Sequence, residues 1–120
     1  MKILKFRFSI CAYGGKNVSL TFNKKTGFFD YIGDIFEQMS DIKDELELDS
    51  LLVSEFVEYV KLHCKHWEKS YWTSVCDGES WDLEIKTEDF HFKVDGHMDF
   101  PDNYEAVILK LTQMSGGKEF

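Results

Sequence analysis

The stretch that decides the fold is Asp77-Gly78-Glu79-Ser80-Trp81-Asp82-Leu83-Glu84-Ile85. From Trp81 to Ile85 apolar and acidic residues alternate, which is the period-two pattern of a strand with one buried face. Asp-Gly between two apolar runs is a strong hairpin signal, so residues 71–75 are predicted to pair with residues 81–85. Residues 90–94 alternate again after a polar turn. The C-terminal half is therefore expected to contain three strands in a meander.

The N-terminal half shows the same alternation in residues 4–10 and again in residues 18–22. Gly14 and Gly15 lie between these runs and tolerate positive φ, so the two runs are predicted to form a hairpin. Residues 28–31 are a candidate third strand. Residues 32–48 stay open between irregular structure and a short helix, because their apolar residues have helical spacing while Gly33 disfavours a helix interior.

Two amphipathic helices complete the pattern. The first is predicted from Ser50 onward, with Asp49 or Ser50 as its N-cap. Its apolar side consists of Val53, Phe56, Val57, Val60, Cys64 and Trp67. Pro101 is expected to open the second helix, with Asp102 and Glu105 forming a variant of the capping box. The buried stripe of this second helix is predicted to be Tyr104, Val107, Ile108 and Leu111.

The predicted order of elements is β-β-(β)-α-β-β-β-α, with hairpins in place of βαβ units. This order indicates an α+β fold, in which two main helices pack on one face of an antiparallel sheet of five to six strands. A chain of 120 residues matches one domain with one core, and eleven Phe, five Tyr and three Trp supply that core. Residues 1–120 are therefore interpreted as a single domain.

The cysteines and the hydropathy pattern favour a cytoplasmic protein. Charged and apolar residues alternate at the N-terminus, so it lacks the apolar run of a signal peptide, and no run reaches the roughly 18 apolar residues of a membrane span. The three cysteines, Cys11, Cys64 and Cys76, show no framework spacing and are expected to be reduced. No cofactor motif is present, and no membrane association is expected.

The charge is concentrated in one segment. The net charge is −8, yet residues 1–29 carry six basic side chains and no acidic one, whereas residues 30–58 carry ten acids and one lysine. An acidic surface repels nucleic acid and attracts basic proteins, so a protein partner with a basic surface is expected and direct nucleic-acid binding is not. The candidate contact residues are Asp41, Asp44, Glu45 and Glu47. The bland alternative is a solvated acidic face that keeps the protein soluble.

An aromatic group supplies a fifth candidate. Trp67, Tyr71, Trp72 and Trp81 are close in sequence, and Trp and Tyr are over-represented at binding hot spots. Strand alternation places Tyr71 and Trp72 on opposite faces of the sheet. Trp72 is therefore the predicted partner-binding aromatic residue, and Trp81 is predicted to be core.

Two groups of histidines are candidate chemical sites. His63-Cys64-Lys65-His66 has ligand types for zinc, but a structural zinc site needs four ligands and no Cys-x-x-Cys pair is present, so no metal site is predicted. Asp95-Gly96-His97-Met98-Asp99 is an arrangement that can orient a general base, and it is also typical of a polar loop before a helix. A small enzyme or ligand-binding domain using His91, His97 and Asp99 is the alternative interpretation of the chain.

The C-terminal half carries the strings Trp67-Glu68-Lys69-Ser70-Tyr71, Asp77 to Ile85, and Gly96 followed by Pro101-Asp102-Asn103-Tyr104. These strings resemble a group of small, functionally uncharacterised bacterial proteins marked by W-x-x-x-Y, D-G-x-x-W-x-L-x-I and G-x-x-x-x-P-x-N. The resemblance spans about residues 67–111. It implies a fold, with a turn, a core tryptophan and a Pro-Asn helix entry, and no catalytic residue. The chain departs from the group at residues 97–100, which are His-Met-Asp-Phe.

Size, acidity and the lack of a catalytic motif together favour a non-enzymatic binding protein. The expected activity is to inhibit or neutralise a partner protein, as an immunity-type protein does, or as a mobile-element or phage inhibitor does to a nucleic-acid enzyme. The sequence leaves the oligomeric state open.

Overall fold

A computed structural model describes residues 2–12, 15–34, 42–74 and 78–120 as one sheet with two helices. The strands are β1 (Ile3–Ala12), β2 (Asn17–Phe22), β3 (Phe29–Asp34), β4 (Ile42–Leu46), β5 (Ser70–Trp72), β6 (Glu79–Thr87) and β7 (His91–His97). The helices are α1 (Ser50–His63) and α2 (Tyr104–Met114). Across the sheet the strands follow the order β4-β3-β2-β1-β6-β7-β5.

The two helices cover one face of the sheet, called here the inner face. Alternation places Phe6 and Phe8 of β1 on this face, opposite Ile85 and Leu83 of β6. The ring of Phe6 contacts that of Phe56 on α1, with centroids 5.7 Å apart. All four of these sheet side chains are almost fully buried. The predicted apolar side of α1 is also buried, so packing between this stripe and the inner face forms the core.

The predicted antiparallel sheet of five to six strands is wrong in size and in one pairing. The sheet has seven strands among the described residues, and β5 pairs in parallel with β7, with Tyr71 opposite Gly96. The expected hairpin between residues 71–75 and 81–85 does not form. Strand β6 lies between β1 and β7, so it has no free edge for β5. The long-range pairing of β1 with β6 therefore overrides the local turn signal of Asp77-Gly78. Asp77 itself lies outside the described residues.

Strand β4 was not predicted. It lies within residues 32–48, for which the sequence allows either irregular structure or a short helix. Residues 42–46 form β4, which pairs antiparallel with β3 and makes one edge of the sheet. In β3 the side chains of Phe29 and Tyr31 face inward, while Ile32 lies on the other face and is 38% exposed. Ile32 therefore belongs to a strand, and the helical spacing that it shares with Ile35 and Met39 continues outside the described residues. Residues 35–41 lie outside the described residues.

The helix starts agree with the sequence at α1 and differ at α2. The Asp49 carboxylate accepts a hydrogen bond from the Leu51 N–H at 2.8 Å, as a capping residue does. Helix α2 begins at Tyr104, and its N-cap, Asn103, makes no side-chain capping bond. The predicted capping box of Asp102 and Glu105 is therefore wrong.

The Asn103 side chain instead connects the two helices. Its Oδ1 accepts from Trp67 Nε1 at 2.6 Å, and its Nδ2 donates to the His63 carbonyl oxygen at 2.9 Å. Both partners lie at or just beyond the end of α1. The amide thus satisfies a helix-end carbonyl, one of the groups that a helix terminus leaves without an intrahelical partner.

Candidate functional site

The second face of the sheet carries polar and charged side chains and is called here the open face. The strand registers place five basic and five acidic described side chains on it. They are Lys5, Arg7, Lys43, Lys86 and Lys93, and Asp30, Glu45, Asp82, Glu84 and Asp95. The charges of the described side chains on the open face therefore balance.

The predicted acidic contact residues do not form one patch. Asp41 lies outside the described residues. Asp44 is opposite Tyr31 and points to the inner side of β4, where it forms an ion pair with Lys118. Glu45 points to the open face, opposite Asp30. Glu47 follows β4 and is exposed. Asp44 and Glu45, which are adjacent in sequence, thus point to opposite faces of the sheet.

Asp44 contacts other side chains of the fold, and its carboxylate is only partly exposed. The pKa of the nearby Tyr31 phenol is raised by burial, and further by the charges of Glu119 and Asp44. The Tyr31 hydroxyl donates to the Glu119 carbonyl oxygen at 2.7 Å. Residues 118–119 are therefore held against β3 and β4 by Lys118 and by Tyr31. Glu45 and Glu47 remain the exposed members of the predicted set.

Trp72 occupies the opposite edge of the sheet and is 69% exposed. Its ring lies against the His97 ring, with centroids 4.9 Å apart. The Oγ of Ser80 and the Nδ1 of His97 are hydrogen-bonded at 2.7 Å. Six strand spacings separate Trp72 from Glu45, so the two residues are roughly 29 Å apart at about 4.8 Å per spacing. Trp72 and the acidic edge are thus two separate features.

Two more exposed apolar side chains follow β7, the strand that pairs with the one carrying Trp72. Met98 directly follows β7 and is 42% exposed, and Phe100 is 37% exposed. Met98 has a positive φ of 51°, and its N–H donates to the Glu79 carbonyl oxygen at 2.9 Å. We call the region of Trp72, Met98 and Phe100 the Trp72 end. Trp72 lies on the open face, whereas Phe100 contacts Trp81 and Tyr104 on the inner side. Sequence reasoning identified only Trp72, because the turn that exposes the other two depends on the pairing of β6 with β7.

A cavity of about 220 Å³ opens beside the Trp72 end, on the inner side of the sheet. We call it the end cavity. Its lining is Ile10, Lys16, Glu79, Phe100, Tyr104, Glu105, Ile108 and Phe120. Within it Lys16 Nζ lies 3.8 Å from Glu79 Oε1 and donates to the Phe120 carbonyl oxygen at 3.0 Å. No local sequence pattern predicts this cavity, because its residues come from four separate parts of the chain.

The residues of the alternative chemical site do not converge. His91 and His97 stand at the two ends of β7, roughly 20 Å apart at about 3.3 Å per residue. His91 Nε2 is hydrogen-bonded to Glu84 Oε2 at 2.8 Å, and this bond, with Lys5, lowers the pKa of Glu84 to about 2. The Asp99 carboxylate accepts from the Phe100 N–H at 3.0 Å. Each of the three side chains therefore has its own local environment.

The histidines and cysteine at the end of α1 also point apart. Cys64 is buried, and burial raises the pKa of its thiol to about 11. The His63 ring lies 4.6 Å from that of Tyr59, and His66 Nε2 is 2.9 Å from Asp102 Oδ1. Within the described ranges no group of three or more His, Cys, Asp or Glu side chains could hold a metal ion. Nor is any helix there long and apolar enough to cross a membrane.

Another cavity, of about 520 Å³, lies at the other end of the sheet, near the start of α1. Phe29 and Val53 form part of its apolar floor, and Lys2 and Lys24 stand at its rim. Both lysines are exposed. The cavity size falls in the range of about 300–1,000 Å³ that small-molecule sites occupy, but its polar groups need no ligand.

Together these features define an α+β domain with one covered sheet face, one open face and an exposed aromatic end. The sequence matches no protein-family model, and no curated protein matches it.

Proposed function

We propose that the protein is a non-enzymatic binding protein that neutralises a partner protein with a basic surface, and that it contacts this partner through the Trp72 end. The observation that carries the proposal is the exposure of Trp72. A tryptophan ring left largely in water forgoes the burial of a large apolar surface, on the order of 150–250 Å². Burial against a partner would recover this free energy.

The degree of exposure supports the same residue. Eight large apolar side chains are exposed in the described part of the chain, and Trp72, at 69%, is the most exposed of them. Isolated exposed leucines need no explanation, whereas exposed Trp and Met match the composition of interface centres. Tryptophan is also among the residues most enriched at hot spots.

The charges around this surface favour a basic partner. Glu79, Asp99 and Glu105 lie next to the Trp72 end in the fold, and Lys16 is the basic side chain among the residues of the end cavity. The chain as a whole carries a net charge of −8, which accelerates encounters with a positively charged protein. Glu45 and Glu47, on the far edge, would contribute to this attraction over a longer distance.

Enzymes that act on nucleic acid carry basic surfaces because they bind phosphates. An inhibitor of such an enzyme, of the immunity type or from a mobile element or phage, would present acidic groups around an apolar anchor. The partner class proposed here is therefore a nucleic-acid enzyme.

Affinity capture tests the proposal. Wild-type protein and the variants Trp72→Ala and Leu109→Ala are immobilised and exposed to lysate of the source cells. Leu109 is exposed on α2 and is the matched apolar control. We expect one basic protein to be retained by wild type and Leu109→Ala and lost with Trp72→Ala, and its nuclease or other nucleic-acid activity to fall in the complex. Retention by all three baits, or unchanged activity in the complex, contradicts the proposal.

One observation favours a second candidate function, a small hydrolase. The Ser80 hydroxyl and His97 Nδ1 are within hydrogen-bond reach at 2.7 Å, which is the geometry of a nucleophile and its base. Covalent labelling by a fluorophosphonate, lost in Ser80→Ala and retained in Ser9→Ala, would support this candidate. Absence of labelling would leave the pair as a support for the His97 ring beneath Trp72.

A further inference from the structure

The two edges of the sheet differ in charge. Strand β4 forms one edge, and three of its five residues, Lys43, Asp44 and Glu45, are charged. Charged side chains are one of the means by which proteins keep a sheet edge from pairing with another chain. Strand β5 forms the other edge, and neither its own residues nor Thr73 and Ser74, which follow it, carry a charge. The β5 edge therefore lacks the protection by charge that the β4 edge has.

The main chain of β5 points the polar groups of two residues away from the sheet. The Lys69 carbonyl oxygen accepts from the Asp95 N–H at 3.2 Å, and the Thr73 N–H donates to the His97 carbonyl oxygen at 2.9 Å. The N–H and C=O groups of successive strand residues point alternately to the two sides, so residues 69, 71 and 73 bond toward β7. Residues 70 and 72 therefore point theirs to the outer side of β5, where no strand of the described chain lies.

The Trp72 ring stands beside these free main-chain groups. Ser70 and Trp72 both place their side chains on the open face, opposite Asp95 and His97 of β7. A strand added to the outer side of β5 would place one of its own side chains directly across from Trp72. Aromatic residues are stabilised by such cross-strand contacts with aromatic or β-branched side chains. The added strand would thus cover part of a ring that is now 69% exposed.

An acid next to this edge lacks a cation. Asp95 lies opposite Ser70 on one side and opposite Asp82 on the other, and like charges directly opposite each other are unfavourable. Asp82 is compensated, because it lies 3.6 Å from Arg7 and accepts from the Ser9 hydroxyl. Asp95 is exposed and forms no ion pair among the described residues. A basic side chain brought to the edge would therefore be attracted to Asp95.

We propose that the partner protein adds an extended segment as a further strand along the outer side of β5. Its main chain pairs with the N–H and C=O groups of Ser70 and Trp72, and its side chains at alternate positions give specificity. A β-branched or aromatic side chain covers the Trp72 ring. A lysine or arginine two residues away, across from the small Ser70 side chain, reaches Asp95. This inference rests on the proposed function and states how the basic partner contacts Trp72.

Amide hydrogen exchange, resolved by NMR for each residue, tests the edge in the free protein. We expect protection factors of Ser70 and Trp72 to be at least about tenfold lower than that of Thr73, whose N–H is bonded to His97. Equal protection of the three amides would show that the edge is already covered and would overturn the proposal. Protection of Ser70 and Trp72 that appears as the protein is concentrated would identify a second copy as the occupant, and would overturn it as well.

The protein captured by the wild-type bait provides the second measurement. In its complex we expect the protection of the Ser70 and Trp72 amides to rise at least about tenfold, because their N–H groups become hydrogen-bonded. The amides of β4, the other edge, should exchange as they do in the free protein. Unchanged exchange at Ser70 and Trp72 in the complex would overturn the proposal without any substitution in the chain.

Ser70→Pro and Ser70→Ala separate main-chain pairing from loss of the side chain. Proline removes the outward N–H, and it is tolerated on an edge strand where that N–H bonds nothing within the sheet. We expect Ser70→Pro to weaken binding of the captured partner at least about tenfold, and Ser70→Ala to bind within about twofold of wild type, at unchanged melting temperatures. If Ser70→Pro melts lower than wild type, the exchange measurement in the wild-type complex decides.

Asp95→Asn tests the basic side chain of the added strand. We expect it to weaken binding of the captured partner at least about fivefold at low salt and less at high salt, because salt screens exposed charges. Glu88→Gln removes an exposed charge elsewhere and is the matched control, with binding like wild type. Equal affinities of Asp95→Asn and Glu88→Gln would contradict the contact with Asp95.

The same complex separates this inference from the proposed function. If Trp72→Ala loses the partner while Ser70→Pro binds like wild type and the edge amides exchange as before, strand addition fails and the proposed function stands. If neither variant changes the affinity, both fail.

Discussion

The indole ring of Trp81 lies directly over the α-carbon of Gly96, its partner across β6 and β7, so that a Cβ at position 96 would overlap the ring. The contact explains why this position carries glycine although its φ needs none. The indole N–H donates to the Asp99 carbonyl oxygen at 3.0 Å, and the ring contacts that of Tyr104 at 4.9 Å between centroids. Trp81 thus fixes the turn that leads from β7 to α2, and with it the Trp72 end.

Gly96→Ala tests this packing. The added methyl group must push the Trp81 ring out of its place, so we expect a loss of about 1–3 kcal/mol in the free energy of unfolding, as overpacking causes. Asp95→Ala, one residue earlier and exposed, should change it by less than about 0.5 kcal/mol. Chemical denaturation measures both. Equal stabilities of Gly96→Ala and wild type would show that the indole does not lie over position 96.

These contacts give a physical role to the residues that carry the resemblance to the group of small bacterial proteins. Trp67, Trp81, Gly96, Asn103 and Tyr104 all belong to one cluster that joins β6, β7 and the ends of both helices. In the structure these residues therefore have packing roles.

The acid sensitivity of the fold should depend on Glu84. Its pKa is lowered to about 2 by the hydrogen bonds from His91 and Lys5, whereas the unfolded chain has the ordinary value of 4.5. A depressed pKa in the folded state gives stability that is complete above the unfolded pKa and is lost as the pH falls toward the folded value. We expect stability to drop between about pH 5 and about pH 2, with a shallower drop in Glu84→Gln. Glu88→Gln, at an exposed site, should follow wild type, and melting temperatures across this range decide the matter. Parallel acid profiles of Glu84→Gln and wild type would contradict this role.

Local patterns predicted most elements, because each depends on residues that are close in sequence. The alternation of Phe6, Phe8, Leu83 and Ile85 gave two strands and their buried faces, and the spacing from Val53 to Cys64 gave α1. The parallel pairing of β5 with β7 and the strand β4 were not predicted. Both depend on which sheet edges are free once β1 has paired with β6, and this is decided by contacts between distant residues.

The candidate site was predictable only in part for the same reason. Trp72 was predicted as a contact residue because strand alternation places Trp72 and Tyr71 on opposite faces of the sheet. Glu79 and Glu105 looked like ordinary surface acids, and Tyr104 looked like an ordinary core residue. Their meeting around one cavity follows from the turn at Met98 and from the placement of α2 against β6. Acidity, in turn, marked residues 41–47 without showing that Asp44 turns inward toward Lys118.

Charge reversal at the β4 edge should show whether the acids there attract the partner electrostatically or serve the fold. We expect Glu45→Lys with Glu47→Lys to slow association with the partner by about an order of magnitude at low salt, with the fold unchanged, because the charges act through the electrostatic potential. Glu55→Lys with Glu88→Lys makes the same net change at other exposed positions and is the matched control. Association rates at two ionic strengths provide the measurement. If control and test pairs slow association equally, the β4 edge has no specific part in steering.

Asp44→Lys should behave differently from its neighbours. It replaces the ion pair with Lys118 by two like charges at a partly buried site, so the free energy of unfolding should fall by about 1 kcal/mol. Thermal melts of Asp44→Lys and Glu45→Lys compare the two positions directly. Equal melting temperatures would mean that the Asp44–Lys118 pair contributes nothing to the fold.

The affinity of the captured partner for Trp72→Ala decides whether this residue binds the partner. We expect a loss of at least about 2 kcal/mol, roughly 30-fold in Kd, mostly through faster dissociation, with an unchanged melting temperature and with Leu109→Ala binding like wild type. An affinity of Trp72→Ala equal to that of wild type would contradict it.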